Sequence, residues 1–138
     1  MYNFILAKEI EGVPTEFQVF PYGAIEVEGN QPVIFDDESM NLIINTFNRR
    51  GNEIVIDYEH QTLKNDKAPA AGWIKRLVNK GTKGLWAVVE WTATASNYLT
   101  NREYRYFSPV FHVRKNDNKI INLFNVALTN SPRINHLK

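Results

Sequence analysis

The sequence contains no cysteine. This absence excludes disulfide bonds, zinc sites built from thiolates and a cysteine nucleophile, and it is typical of an intracellular protein. No apolar run approaches the roughly 20 residues that a membrane-spanning helix needs. The first residues also lack the pattern of a signal peptide. We therefore expect no membrane partner.

The sequence has almost no net charge. Its 16 basic and 15 acidic residues leave +1, and no run of Lys and Arg is longer than two. A basic stripe, the usual mark of a nucleic-acid-binding protein, is missing. Trp73, Trp86 and Trp91 could stack on bases in a small β-barrel domain, but the charge balance argues against it. We interpret these tryptophans as core residues and expect no nucleic-acid partner.

Common catalytic and ligand-binding motifs are also missing. There is no Gly-rich phosphate loop, no HExxH, no GxSxG and no Asp/Asn ladder for calcium. The three histidines, at positions 60, 112 and 136, are too far apart to suggest a local metal site. We expect neither a metal nor another cofactor.

The patterns that are present predict one α+β domain. Residues 33–51 have the helical period, with Met40, Ile43, Ile44 and Phe47 on one stripe and Gly51 as the stop. A short helix is predicted over 93–101, capped by Thr92. Predicted strands cover 1–10, a strand pair within 16–28, 52–59, 85–91, 104–113 and 120–129. Small residues at 70–72 suggest close backbone approach before order resumes. We expect a mostly antiparallel, barrel-like sheet with flanking helices.

Two polar side chains stand among bulky apolar ones. Ser108 lies within an aromatic strand, where a hydroxyl needs a hydrogen-bond partner. His60 follows a strand that carries Asp57 and Glu59 and precedes a polar loop. Such an imidazole suits proton transfer, although taken alone each residue is more often structural. Together they are candidates for the nucleophile and base of a serine protease.

Geometry restricts the partners of Ser108. His112 shares its strand face but lies about 13 Å along the strand, so the base must come from elsewhere. Pro109 has no N–H, so the residue after the serine cannot donate to an oxyanion. Arg102 and Arg105 are oxyanion candidates only by their proximity in sequence, and a structural or surface role is the favoured interpretation for both.

Five segments in order resemble one protein family. They are DYEHQ at 57–61, APAAGWI at 68–74, GLWAVVEWT at 84–92, YRYFSPVF at 104–111 and ALTNSP at 127–132. The chain resembles the protease domain of the Mu-like phage I protein, a head maturation protease whose longer form also supplies scaffold. More distantly it is similar to prohead proteases and to herpesvirus assemblin, a β-barrel serine protease with surrounding helices.

The resemblance implies Ser108 as nucleophile and His60 as general base. The residue that orients the imidazole is less defined. Asn125 matches the position of an acidic residue in the last strand of prohead proteases, and an Asn can orient a His. Asp57 and Glu59 remain alternatives, although alternation along the strand would place Asp57 on the face opposite His60.

The resemblance also implies a biological setting. It predicts a serine endopeptidase that cleaves scaffold protein, major capsid protein and itself, in the host cytoplasm inside the assembling phage head. The protease domain would cover residues 1–132, with a tail at 133–138, in a truncated or self-processed form. Assemblin relatives dimerise, which makes a homodimer an expectation by resemblance alone. The alternative is a non-catalytic module that binds capsid or scaffold chains.

Overall fold

The computed structural model describes residues 8–9, 12–27, 31–61 and 69–130. Two helices and nine strands lie in this part of the chain. In order they are β1 (Lys8–Glu9), β2 (Glu16–Phe20), β3 (Gly23–Ile25), β4 (Val33–Phe35), α1 (Asp37–Arg50), β5 (Ile54–Tyr58), β6 (Gly72–Asn79), β7 (Leu85–Trp91), α2 (Ala93–Thr100), β8 (Tyr106–Val113) and β9 (Ile120–Thr129). The remainder of the predicted first strand, and the boundary between residues 132 and 133, lie outside the described residues.

Seven strands form one mixed sheet in the order β1-β8-β9-β5-β6-β7-β2, and β3 pairs with β4 separately. Every neighbouring pair is antiparallel except β5 with β9, which is parallel. The predicted α+β class and the mostly antiparallel sheet are confirmed.

The sheet curls into a half-barrel. Strands β2 and β8 lie five positions apart in strand order, yet their side chains meet across the interior. The Phe17 and Phe107 ring centroids are 4.2 Å apart, and those of Phe20 and Phe111 are 5.3 Å apart. Contacts between such distant strands require a rolled sheet, and the two aromatic pairs occupy its inner face.

Alternation along the strands divides the side chains between two faces. Ile54, Ile56 and Tyr58 of β5 join the apolar core together with Phe107 and Phe111 of β8. Residues of the opposite parity on these strands therefore point to the outer face. This division places both Asp57 and Ser108 outside the half-barrel.

Helix α1 begins later than predicted. Asp36 is the N-cap, and its carboxylate accepts a 3.1 Å hydrogen bond from the Ser39 N–H. The preceding residues, Val33–Phe35, form β4 and not the first turn of the helix. The predicted stop is confirmed, because Gly51 adopts φ 70°, a left-handed conformation that glycine takes without steric cost.

Other predictions divide between confirmation and correction. The two strands predicted within 16–28 are present as β2 and β3, but their predicted pairing is wrong, because β2 pairs with β7 and β3 with β4. Close approach at the small residues is confirmed, since a Cβ on Gly72 would lie 2.8 Å from the Glu90 carbonyl. The core assignment is wrong for Trp73, which is 39% exposed.

Helix α2 begins as predicted at its Thr92 cap, whose hydroxyl accepts a 3.1 Å bond from the Ala95 N–H. Neither α1 nor α2 is long and apolar enough to cross a membrane. In the part of the chain that the structure describes, no group of three or more His, Asp or Glu side chains is arranged so that it could hold a metal ion.

Candidate active site

The structure brings His60 and Ser108 into direct contact. Nε2 of the imidazole lies 3.0 Å from Oγ of the serine, although the residues are 48 positions apart in sequence. Ser108 is completely buried, and His60 is half-buried. This is hydrogen-bond distance, within the range expected between a nucleophile and its base.

The register of the strands determines which side chains lie beside Ser108 on the same face of the sheet. Ala127 of β9 pairs with Asp57 of β5 on one side and with Ser108 of β8 on the other. Residues in register across neighbouring strands share a face of the sheet. Asp57 and Ser108 therefore flank Ala127 in one row on the outer face of the half-barrel.

Asn125 lies two residues before Ala127 and shares its face. Its side-chain amide donates a 3.3 Å hydrogen bond to Oδ2 of Asp57. Asp57 is completely buried, and Asn125 is 5% exposed. A buried carboxylate is costly unless hydrogen bonds or an opposite charge compensate it. The Asn125 amide supplies part of that compensation.

A tight turn carries His60 to the serine. Strand β5 ends at Tyr58, and the next two residues, Glu59 and His60, both adopt left-handed backbone conformations with φ of 53° and 57°. Such conformations are uncommon outside glycine. The alternation argument that separated Asp57 from His60 is therefore wrong, since the chain reverses direction before His60 and returns it to the outer face.

Hydrogen bonds hold this turn against β9. The Glu59 N–H donates to the Leu128 carbonyl at 2.9 Å, and the Thr129 hydroxyl donates to the Glu59 carboxylate at 2.7 Å. The Asn130 N–H reaches the other carboxylate oxygen at 3.4 Å. The sequence indicates Glu59 only as an alternative acid for orienting His60, and no local sequence pattern marks Thr129 as part of the site.

A tyrosine cluster lies beside the turn. The rings of Tyr58, Tyr98 and Tyr104 are 5.3 to 5.8 Å apart, centroid to centroid, in tilted or edge-on contacts. Burial raises the pKa of the Tyr58 and Tyr104 phenols, and the Glu59 carboxylate contributes to the increase at Tyr104. These hydroxyls therefore remain neutral hydrogen-bonding groups at physiological pH.

The remaining candidates lie at the margin of the site. Pro109 follows Ser108 within β8, so the backbone at that position has no N–H for an oxyanion. Arg105 is exposed, and its guanidinium lies 5.8 Å from the centroid of the Tyr106 ring. Its backbone N–H donates to the Asn130 side chain at 3.1 Å. His112 is paired with Asn122, near the turn of the β8–β9 hairpin.

Comparison with known proteins identifies relatives of phage origin. Residues 17–138 match the family model described as Mu-like prophage I protein, N-terminal domain. Protease I of Escherichia phage Mu is 28% identical over 121 residues, which cover 82% of this chain and 34% of that protein. The chain thus spans about a third of the length of this relative. No solved structure gave a significant match.

Proposed function

Because the chain belongs to the Mu-like prophage I protein family, we propose that it is the catalytic domain of a phage head-maturation protease of the serine type. The observation that carries this proposal is the 3.0 Å contact between Ser108 Oγ and His60 Nε2. The name of the phage Mu relative, Protease I, agrees with it. Ser108 is assigned as the nucleophile and His60 as the general base.

The reaction is hydrolysis of a peptide bond by acyl transfer. Ser108 Oγ attacks the carbonyl carbon, while His60 Nε2 takes the hydroxyl proton. His60 then gives this proton to the leaving amine as the C–N bond breaks. Water attacks the acyl-enzyme with His60 again as base, and Ser108 is regenerated.

Asp57 and Asn125 are assigned jointly to the support of His60. A carboxylate on the same face as Ser108 favours the imidazolium formed during attack. The Asn125 amide, which donates to Asp57 at 3.3 Å, fixes the orientation of that carboxylate. Asn125, the residue at the position of the acidic residue in prohead proteases, thus acts on His60 through Asp57. Because Pro109 offers no N–H, the oxyanion donors come from another part of the chain.

The family relationship also supports the assignment of substrates and setting. We assign scaffold protein, major capsid protein and the protease itself as substrates, inside the assembling head in the host cytoplasm. We also assign an assemblin-like fold, with which the curled, mostly antiparallel sheet agrees, and a homodimer, which rests on the family resemblance alone. An experimental structure superposed on assemblin and sedimentation of the purified chain test these two assignments.

The decisive experiment compares wild type with Ser108→Ala. Each is co-expressed with the scaffold protein and major capsid protein of a Mu-like phage, and purified protein is incubated with a serine-directed phosphonate. Wild type should cleave at least one partner and gain the mass of one phosphonate at Ser108, and the variant should do neither.

A matched control is available in Ser96, a serine of α2 outside the site. Ser96→Ala should cleave and label as wild type does. If wild type binds its partners without cleaving them and takes no label, the chain is a non-catalytic assembly module.

A further inference from the structure

A groove lies on the outer face of the half-barrel, where β9, β5 and β6 are neighbours in the sheet. It has a volume of about 750 Å³ and is open to solvent. Val55, Trp73 and Phe124 form its apolar base, and charged and polar groups from the end of α1 and the chain before β5 surround this base. We call it the outer groove.

Strand register places the outer groove on the same face of the sheet as Ser108. Val55 alternates with core residues along β5, so its side chain points outward together with that of Asp57. Trp73 pairs with Val55 in the neighbouring strand and therefore shares this face. Both side chains thus belong to the face that presents the proposed nucleophile.

A β-bulge brings Phe124 to this face as well. The register of β9 with β8 shifts here, so that β9 has one residue more than its partner. Leu123 and Val126 both belong to the core, and the two residues between them, Phe124 and Asn125, therefore point outward. The ring centroid of Phe124 lies 6.3 Å from that of His112, an outward residue of the serine strand. Bulges often re-aim a side chain beside a functional site.

The outer groove lies too far from Ser108 to hold the side chain next to the scissile bond. Val55 is two residues from Asp57 along β5, about 7 Å, and β5 lies two strands from β8, about 10 Å. Together these steps separate Val55 from Ser108 by about 12 Å. An extended polypeptide spans about 3.3 Å per residue. A substrate held at Ser108 would therefore reach the groove with a residue about four positions from the cleaved bond.

The outer groove combines apolar area with an unpaired positive charge. Trp73 is 39% exposed, and exposed aromatic side chains in grooves are common anchors for binding. Glu53, one of the two charged residues in the described lining, is paired with Lys75. The other, Arg50, is exposed and has no acidic partner among the residues that the structure describes. An apolar side chain fits the base, and an acidic group beside it fits Arg50.

The size of the groove favours a single polypeptide segment over a second copy of the chain. A stable dimer buries about 800 Å² on each partner, contributed by about 20–30 residues. The described lining of the outer groove consists of seven residues, and only three of them are apolar. Arg50 and Lys75 stand exposed around it. Such a surface is suited to one or two side chains of a transient ligand.

We infer that the outer groove is an exosite for the polypeptide substrate. It binds an aliphatic or aromatic side chain with an acidic residue beside it, about four positions from the scissile bond. The inference rests on the proposed function, because an exosite requires a working nucleophile on the same protein. It extends that function by naming the substrate feature that is recognised away from the bond that is cleaved.

The test compares a long substrate with a short one. The long substrate is the purified scaffold protein of a Mu-like phage. The short one is a peptide with about three residues on each side of a cleavage site that mass spectrometry identifies in that scaffold. Trp73→Ala should raise KM for the scaffold about tenfold and leave kcat unchanged, because truncation of an anchoring tryptophan commonly weakens binding by that factor. The same variant should cleave the short peptide as wild type does, because the peptide does not reach the groove.

Matched controls are available for both parts of the exosite. Trp86→Ala removes a tryptophan that packs against Lys80 at 4.1 Å, outside the described lining, and should leave KM for the scaffold unchanged. Arg50→Glu should raise that KM about threefold at low salt. Arg49→Glu, in the same last turn of α1 but outside the described lining, should not. Circular dichroism verifies the folding of each variant.

The outcomes separate the exosite from the proposed function. If wild type cleaves neither substrate, or if Ser108→Ala still cleaves, the proposed function is wrong and the exosite fails with it. If cleavage depends on Ser108 but Trp73→Ala and Trp86→Ala have the same KM for the scaffold, the exosite is overturned while the protease assignment stands. An equal effect of Trp73→Ala on both substrates also overturns it. Loss of a dimer in sedimentation, with KM unchanged, would instead assign the groove to a second copy of the chain.

Discussion

The two ends of the β8–β9 hairpin carry polar clusters of opposite character. At the turn end, Arg114 pairs with Glu38 at 3.0 Å and with Asp117 at 2.7 Å. Lys119 pairs with Asp36 and Glu38, both at 2.9 Å. All of these side chains are a quarter or more exposed.

At the open end, the cluster of Ser108, His60, Asp57 and Asn125 is mostly buried. His60 Nε2 lies 3.0 Å from Ser108 Oγ, and the Asn125 amide donates to Asp57 at 3.3 Å. In the turn cluster each charge has several partners and water nearby, so the loss of one contact is compensated. In the buried cluster the surroundings are less polar, so electrostatic effects are stronger. The contrast teaches that the turn cluster joins α1 to the hairpin, whereas the buried cluster is suited to moving a proton.

Substitution of His60 in the buried cluster is expected to have the largest effect on the rate of cleavage. His60→Ala should lower the rate of substrate cleavage about 10³- to 10⁴-fold, because Ser108 loses the group that accepts its proton. The rate is measured on a purified scaffold substrate, with circular dichroism to verify folding. His112→Ala, on the same hairpin and away from Ser108, is the control and should cleave at the wild-type rate. Equal losses in both variants would refute the assignment of the base.

The next largest effect is expected for Asp57→Asn, which should lower kcat for substrate cleavage about 10²- to 10⁴-fold. The substitution keeps the shape of the side chain but removes the charge that favours the imidazolium. The measurement is kcat for the same substrate. Asp117→Asn, the equivalent change in the exposed turn cluster, should leave kcat unaltered. A fully active Asp57→Asn enzyme would restrict Asp57 to a structural role.

A smaller effect is expected at Thr129, which acts on the buried cluster through the turn. Thr129→Val removes the hydroxyl that donates to Glu59 at 2.7 Å, so the left-handed turn before His60 should loosen. We expect cleavage to slow about tenfold and the free energy of unfolding to fall by about 1–2 kcal/mol. Urea denaturation and kinetics measure the two effects.

The control for Thr129 is Thr100→Val. This residue also donates through its hydroxyl, to the Ser96 carbonyl at 2.8 Å, but it lies at the exposed end of α2. Its kinetics should match wild type. If Thr129→Val loses stability and keeps full activity, the turn does not position His60.

The smallest effect belongs to the turn cluster. Hydrogen bonds from Arg114 and from Lys119 respectively hold the pKa values of Asp117 and Glu38 below their usual range. A carboxyl group with a lowered pKa stabilises the fold above its ordinary pKa of about 4 and loses that contribution as the pH falls through the lowered value.

Arg114→Ala should therefore cause only a slight loss of stability at pH 7, and the difference from wild type should shrink below about pH 4. Urea denaturation at several pH values measures this, and 1 M salt should also reduce the difference at pH 7. Cleavage should be unaffected. A large loss of activity would show that the two ends of the hairpin are coupled.

The elements with strong local signals could be predicted from the sequence. Strands β7 and β9 match their predicted bounds, and in β7 apolar alternation marks the strand. The stop of α1 follows from Gly51. The pairing of β2 with β7, and of β3 with β4, could not be predicted, because alternation shows which face is buried and not which strand lies alongside.

The candidate site divides in the same way. Ser108 and His60 are predicted from the sequence because a hydroxyl and an imidazole stand out in apolar surroundings. The family resemblance then assigns them to one catalytic pair. The positions of Asp57 and Asn125 relative to Ser108 depend on the register of β9 with β5 and with β8, which no local sequence pattern reveals. The turn at Glu59 and His60 was missed because left-handed conformations are normally signalled by glycine or asparagine.

The parallel pairing of β5 with β9 has a consequence for the timing of synthesis. Strand β9 is the last described strand, and it lies between β5 and β8 in the sheet. A chain still growing on the ribosome can make the serine strand and the histidine strand without the strand that separates and aligns them. The hydroxyl and the imidazole therefore cannot meet in their final register until translation has passed Thr129. Under the proposed function, a nascent chain would therefore be unable to cleave its neighbours before its fold is complete.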